Sequence, residues 1–169
     1  MTLAADLLAR AQAKRLLIAT AESCTGGLLA GAITDVAGSS AIFDRGFVTY
    51  TNAAKMTMLG VPGAVLDAHG AVSEPVARAM AKGALQRSDA HIAVAITGIA
   101  GPGGSEHKPE GRVCFALATV GRVTVETIEF GAIGRAQVRG GSVERGLQML
   151  LDAVDLFELN NWAEGPKTD

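Results

Sequence analysis

The 169-residue sequence is poor in aromatic side chains, with one Trp, one Tyr and five Phe, and it holds two cysteines and three histidines. Cys24 and Cys114 are too few for a disulfide framework, so a reducing cytoplasmic compartment is expected. His69, His91 and His107 are isolated and offer no metal-ligand spacing, so no metal is expected. No apolar run reaches the ~18 residues that a membrane span needs, and Asp6 stands where an export signal would be basic. A membrane is therefore not an expected partner. An excess of either charge is also lacking. The 15 Lys and Arg against 17 Asp and Glu leave a net charge of −2. With so few aromatics to stack on bases, that balance excludes a dedicated nucleic-acid binder.

What is present is a hydrophobic content of 49% and a mean hydropathy of +0.28, which exclude a disordered chain. The 21 glycines predict many tight turns and close backbone approaches. Thr2–Ala13 has a capping residue and helical apolar spacing, and Arg15–Thr20 is a short apolar run of strand length. A second helix is expected over Thr25–Val36, and a β-branched strand over Phe43–Thr51. Asn52 is expected to cap a short helix that ends before Gly60 and Pro62. Ser73-Glu74-Pro75 opens the clearest helix, and His91–Thr97 reads as a strand buried on both faces. After the loop Gly98–Gly111, Arg112–Thr119 and Arg122–Phe130 read as a hairpin. Val138–Leu156 gives the last amphipathic helix. The pattern predicts one three-layer α/β/α domain over residues 1–157 with a mixed sheet, followed by a polar tail, Glu158–Asp169. As for many small glycine-rich α/β enzymes, a homo-oligomer is expected, although no apolar stripe identifies an interface.

Three segments can carry chemistry. Ala21-Glu22-Ser23-Cys24-Thr25-Gly26-Gly27 lies where a buried strand meets a helix, so its hydroxyl sits near free backbone amides. Ser23 is either a nucleophile beside an oxyanion site or simply a helix cap, a role that Glu22 or Thr25 can share. Cys24 is a second possible nucleophile or a buried structural thiol. In Tyr50-Thr51-Asn52-Ala53-Ala54-Lys55, the lysine falls in the first turn of a helix, where the dipole disfavours a cation. That field, with desolvation, lowers an amine from ~10.4 toward the ~7–8 of a working general base. A solvated surface lysine is the competing reading. Tyr50 orients Lys55 or a ligand, or is only a strand aromatic.

The third segment, Thr97-Gly98-Ile99-Ala100-Gly101-Pro102-Gly103-Gly104-Ser105, leaves the end of a buried strand, where α/β sheets place ligands. It matches neither a P-loop nor a dinucleotide fingerprint, and a plain connecting loop is the alternative. Gly38-Ser39-Ser40 adds hydroxyl donors, and Arg135 and Arg139 either clamp an anion or cover a helix face.

AESCTGG (21–27), TDVAGSSAIFDRGFVTYTNAAK (34–55), HGAVSEPVA (69–77) and ITGIAGPGGSEHKPEGRV (96–113) together resemble the CinA C-terminal family. That family includes stand-alone nicotinamide-nucleotide amidohydrolases. The resemblance runs from about Leu7 to Leu151. It implies hydrolysis of the carboxamide of nicotinamide mononucleotide without cofactor or metal, giving nicotinate mononucleotide and ammonia. It assigns the nucleophile to Ser23 and the base to Lys55, helped by Tyr50. Cys24, Thr25 and Gly26 would supply oxyanion donors. Ser40, Thr97, Gly98, Gly101, Gly103 and Arg135 would contact the nucleotide. In place of the family's Gly-Asp-Arg before the last helix, this chain has Gly131-Ala132-Ile133-Gly134-Arg135, which lacks the Asp and carries an insertion. A module that binds a nucleotide without turning it over is the rival expectation.

Overall fold

The computed structural model describes residues 1–105 and 107–157. The expected polar tail therefore lies outside the described residues. Along the chain, α1 (Leu3–Ala13) is followed by β1 (Ile18–Glu22), α2 (Leu28–Thr34), a 3₁₀ turn (Ser39–Ala41) and β2 (Phe43–Val48). Next come α3 (Asn52–Leu59), α4 (Gly63–His69), α5 (Glu74–Gln86), β3 (Ile92–Gly98), β4 (Arg112–Thr119), β5 (Arg122–Glu129) and α6 (Arg135–Leu156). The five strands form one mixed sheet in the order β2-β1-β3-β4-β5. β1 runs parallel to both β2 and β3, while β3-β4 and β4-β5 are antiparallel pairs.

Alternation along the strands gives the two faces different characters. Ile18, Ile92, Val94, Ile96 and Phe115 point into a bulky core against α1, α2 and α6. Ala19, Ala21, Ala93, Ala95, Ala116 and Ala118 line the other face, under α5 and its Val76, Met80 and Ala84. A sheet face of methyl groups lets a helix lie close to it, which is what the small-residue composition serves. Together these two cores and the sheet make the expected three-layer α/β/α domain. Among the described residues, no helix is long and apolar enough to cross a membrane.

The local differences from the sequence expectation have physical causes. Arg15 turns into the left-handed region at φ 56°, and the Leu16 amide closes on the Ala11 carbonyl at 2.9 Å. The exit turn of α1 thus absorbs part of the expected first strand, and β1 runs on to Glu22. Gly26 and Gly27 both have positive φ, 59° and 102°, so residues 25–27 form a turn and α2 begins only at Leu28. Thr51, not Asn52, caps α3: its hydroxyl accepts the Ala54 amide at 3.1 Å. The seven-residue α4 was not expected, since Pro62 stands at its cap position and offers no side-chain bond. α6 begins at Arg135, one turn before its first buried residue, Val138.

Candidate active site

The parallel pairing of β1 with β2 and β3 determines what meets at the strands' carboxyl ends. Glu22 pairs with Val48 and with Ile96, so the residues just past each strand end converge. The Thr49 amide donates to the Glu22 carbonyl at 2.9 Å, and the Ser23 amide donates to the Ile96 carbonyl at 2.9 Å. Ser23 thus sits at the crevice where open α/β sheets bind ligands.

The local structure shows which side chain serves the start of α2. The Glu22 carboxylate, completely buried, accepts the Leu29 amide at 2.8 Å and the Ala30 amide at 3.0 Å. It therefore serves the start of α2, where the Gly27 cap position offers no side chain. Ser23 is released from capping. Its Oγ instead accepts a hydrogen bond from Lys55 Nζ at 3.0 Å.

Lys55 reaches Ser23 from the first turn of α3 and is 1% exposed. Its amine also donates to the Thr49 carbonyl at 2.9 Å and the Tyr50 carbonyl at 3.2 Å. Among the described residues it forms no ion pair with a carboxylate. Burial pushes this amine below its ordinary value of 10.5, against a smaller opposing effect of Cys24. Burial has the reverse effect on the neighbouring thiol: Cys24 is pushed up to about 11. Cys24 is thus a protonated, poorly nucleophilic thiol at neutral pH.

A cleft of about 320 Å³ opens over this pair. Ser23, Cys24, Tyr50, Lys55, Thr97 and Arg135 line it, with the glycine-rich loop 98–105 forming one wall. Gly98, Gly101 and Gly103 belong to that wall. Gly101 adopts φ 89°, a backbone conformation that other residues rarely adopt, so this bend favours glycine. Thr97 Oγ1 donates to the Ala71 carbonyl at 2.9 Å, which ties the loop before α5 to the cleft. At the mouth, Arg135 donates to the Gly101 carbonyl at 2.8 Å and to the Tyr50 hydroxyl at 3.1 Å. Arg135 and Lys55 are the cations of the lining.

Three expected contacts fall elsewhere. Ser40 is exposed in the 3₁₀ turn before β2, at the opposite end of the parallel strands from Ser23. Thr25 is completely buried behind Ser23, and neither it nor Gly26 lines the cleft. Arg139 also stays out of the cleft. It donates to the Cys24 carbonyl at 3.0 Å and the Thr25 carbonyl at 3.3 Å. The carbonyls that hold Lys55 were not foreseen, because a backbone acceptor leaves no residue signature. A larger cleft, about 390 Å³ between β4, β5 and α6, contains the Arg145–Glu126 pair and lies apart from Ser23.

The model of the CinA C-terminal domain matches residues 1–154. A CinA-like protein of Mycobacterium marinum is 52% identical over 151 residues, covering 88% of this chain and 35% of that protein. One from Chlorobaculum tepidum is 55% identical over 121 residues, covering 69% of this chain and 29% of that protein. The chain thus spans about a third of the length of these curated relatives. Solved structures match over nearly their full length. The competence/damage inducible protein CihA from Agrobacterium tumefaciens superposes with a TM-score of 0.87 at 51% identity, covering 90% of this chain and 93% of that one. A CinA superfamily protein from Escherichia coli gives 0.84 at 40% identity, covering 88% and 87%.

Proposed function

The chain belongs to the CinA C-terminal domain family, and we propose that it hydrolyses the carboxamide of nicotinamide mononucleotide to nicotinate mononucleotide and ammonia. The observation that carries this reading is the Lys55 Nζ–Ser23 Oγ contact of 3.0 Å inside a cleft. A neutral lysine amine has two N–H bonds and one lone pair. The Thr49 and Tyr50 carbonyls take the two N–H bonds, so the lone pair faces the Ser23 hydroxyl. After accepting the serine proton, the ammonium has three N–H donors for the same three oxygens. The site therefore accommodates both protonation states without rearrangement, as a general base requires.

In the proposed reaction, Ser23 Oγ attacks the amide carbon as its proton passes to Lys55. Charge then develops on the carboxamide oxygen. Cys24 lines the cleft, and its amide, which faces its own thiol, donates to no backbone carbonyl among the described residues; in this reading it is the donor to that oxygen. Lys55 returns the proton to the leaving nitrogen, and the C–N bond breaks to release ammonia. A water then attacks the Ser23 ester, its proton passing through Lys55 back to Ser23 Oγ. Arg135, with further N–H groups beyond those that bond Gly101 and Tyr50, supplies charge for the 5′-phosphate.

Ammonia release from nicotinamide mononucleotide by the purified chain, with a chelator present and Ser23→Ala in parallel, tests the reading. Release by the parent chain alone is expected. Binding of the mononucleotide without any ammonia release would replace the amidohydrolase with a nucleotide-binding module.

A further inference from the structure

The turn that presents Ser23 is gripped on its far side by α6. Arg139 Nε and Nη2 bond the carbonyls of Cys24 and Thr25, two successive peptide oxygens, with one guanidinium. Arg139 is half-buried, lines no part of the cleft and pairs with no carboxylate among the described residues. Its whole engagement is with the nucleophile's turn. At Gly26, a Cβ would stand 3.3 Å from Arg139 Nη2, tighter than ordinary contact, so the missing side chain leaves room for the guanidinium.

Peptide planarity links this grip to the chemistry. The Ser23 carbonyl is held by the Gly26 amide at 3.0 Å. In a trans peptide the N–H points opposite to the C=O, so this bond sets the direction of the Cys24 N–H. The next carbonyl along, that of Cys24, is the one Arg139 holds. Residue 24 is thereby fixed at both of its peptide bonds, and its amide cannot swing. Burial raises the Cys24 thiol, its own backbone amide draws it down, and the Arg139 guanidinium charge draws it down by less.

We propose that Arg139 is a positioning residue of the reaction, which aims the Cys24 amide at the developing oxyanion by holding the carbonyls of Cys24 and Thr25. It neither touches the substrate nor moves a proton. This inference rests on the acyl-transfer reading of Ser23, and the test separates the two. A fluorophosphonate probe forms an Oγ–P bond at an activated serine and expels fluoride, while the serine proton passes to the base. Its phosphoryl oxygen occupies the oxyanion position.

The rate of Ser23 labelling is measured by mass spectrometry across pH for the parent chain, Arg139→Met and Arg139→Lys, with thermal midpoints alongside. The expected result is labelling at least ~10-fold slower in Arg139→Met, with the pH midpoint unchanged because Lys55 is untouched. Arg139→Lys keeps the charge but not the two-pronged grip, and is expected to fall between. A merely structural role would lower the thermal midpoint of Arg139→Met and leave its labelling rate, measured well below that midpoint, equal to the parent's. That result overturns the proposal. If Arg139→Met does not fold, Arg139→Lys decides alone, and a parental rate in it overturns the proposal. No labelling of Ser23 in the parent chain overturns the acyl-transfer reading itself, and this inference with it.

Discussion

Lys55 and Ser23 are 32 residues apart in the chain and 3.0 Å apart in space. Among the described residues the amine touches no carboxylate, and its other partners are two backbone carbonyls. A buried cation without a counter-ion is costly unless it is neutral for part of the time. That requirement and the requirement of a general base are the same.

Lys55→Met is expected to fold and to lose about two to four orders of magnitude in amide hydrolysis, the usual contribution of a positioned base. Burial holds the folded amine below 10.5, so between its folded value and that of the unfolded chain only the unfolded state binds the proton. Stability due to this group therefore rises with pH across that window. Cys24 acts in the opposite direction between 9.0 and about 11, because there the unfolded thiol loses its proton first. Made in a Cys24→Ala background, the comparison of parent with Lys55→Met removes the thiol, which is coupled to the lysine, and isolates the lysine. Denaturant midpoints from pH 7 to 10 should show the parent gaining relative to the variant, and parallel curves would contradict the burial argument.

Cys24 should behave as an inert thiol. With its value pushed up to about 11, iodoacetamide should alkylate it at pH 8 far more slowly than a free thiol. Cys24→Ala should keep hydrolysis within about tenfold of the parent, since only the backbone of this residue is used. Loss of activity as deep as that of Ser23→Ala would transfer the nucleophile to the thiol.

Glu22 is expected to matter for stability. Glu22→Ala leaves the Leu29 and Ala30 amides without their acceptor in a buried site, a loss of about 1–3 kcal/mol for each unsatisfied group. Glu22→Gln keeps one acceptor oxygen and should lie between. Urea denaturation of the three proteins orders them, and equal midpoints would show that α2 does not depend on this carboxylate.

Arg135 should govern recognition more than chemistry. Arg135→Met is expected to raise KM for the mononucleotide about tenfold or more, with a smaller change in kcat. The matching riboside, which lacks the phosphate, should show no such penalty. An equal loss for both compounds would assign Arg135 to the fold of the 98–105 loop through its bond to Gly101.

The sequence showed much of this site through broken local rules. A lysine in the first turn of a helix broke such a rule, whereas the serine at the strand-to-helix junction also fitted an ordinary cap; both residues line the cleft. Their proximity was not legible, because it depends on the register that pairs Glu22 with Val48 and brings residues 23 and 49 together. The helix cap was legible only as a set of alternatives, since Glu22, Ser23 and Thr25 all have the chemistry for it. The buried Glu22 carboxylate took the role because β1 runs on to residue 22. Arg139 was read as clamping an anion or covering a helix face, and it meets two peptide carbonyls. Ser40 was expected as a hydroxyl donor and from the resemblance, and the parallel direction of β1 and β2 sets it at the far end of the sheet. Of the helices, α4 escaped notice because its ends, Pro62 and Gly70, are also the signals of a plain loop.

The measurement that tests the central claim most directly is rapid-quench mass spectrometry of the chain during turnover of nicotinamide mononucleotide. The account predicts an ester of the substrate's acyl group on the Ser23 peptide, formed at the rate of the first ammonia release and absent in Ser23→Ala. Ammonia release at the parental rate by Ser23→Ala, with no adduct on the parent chain, would contradict it.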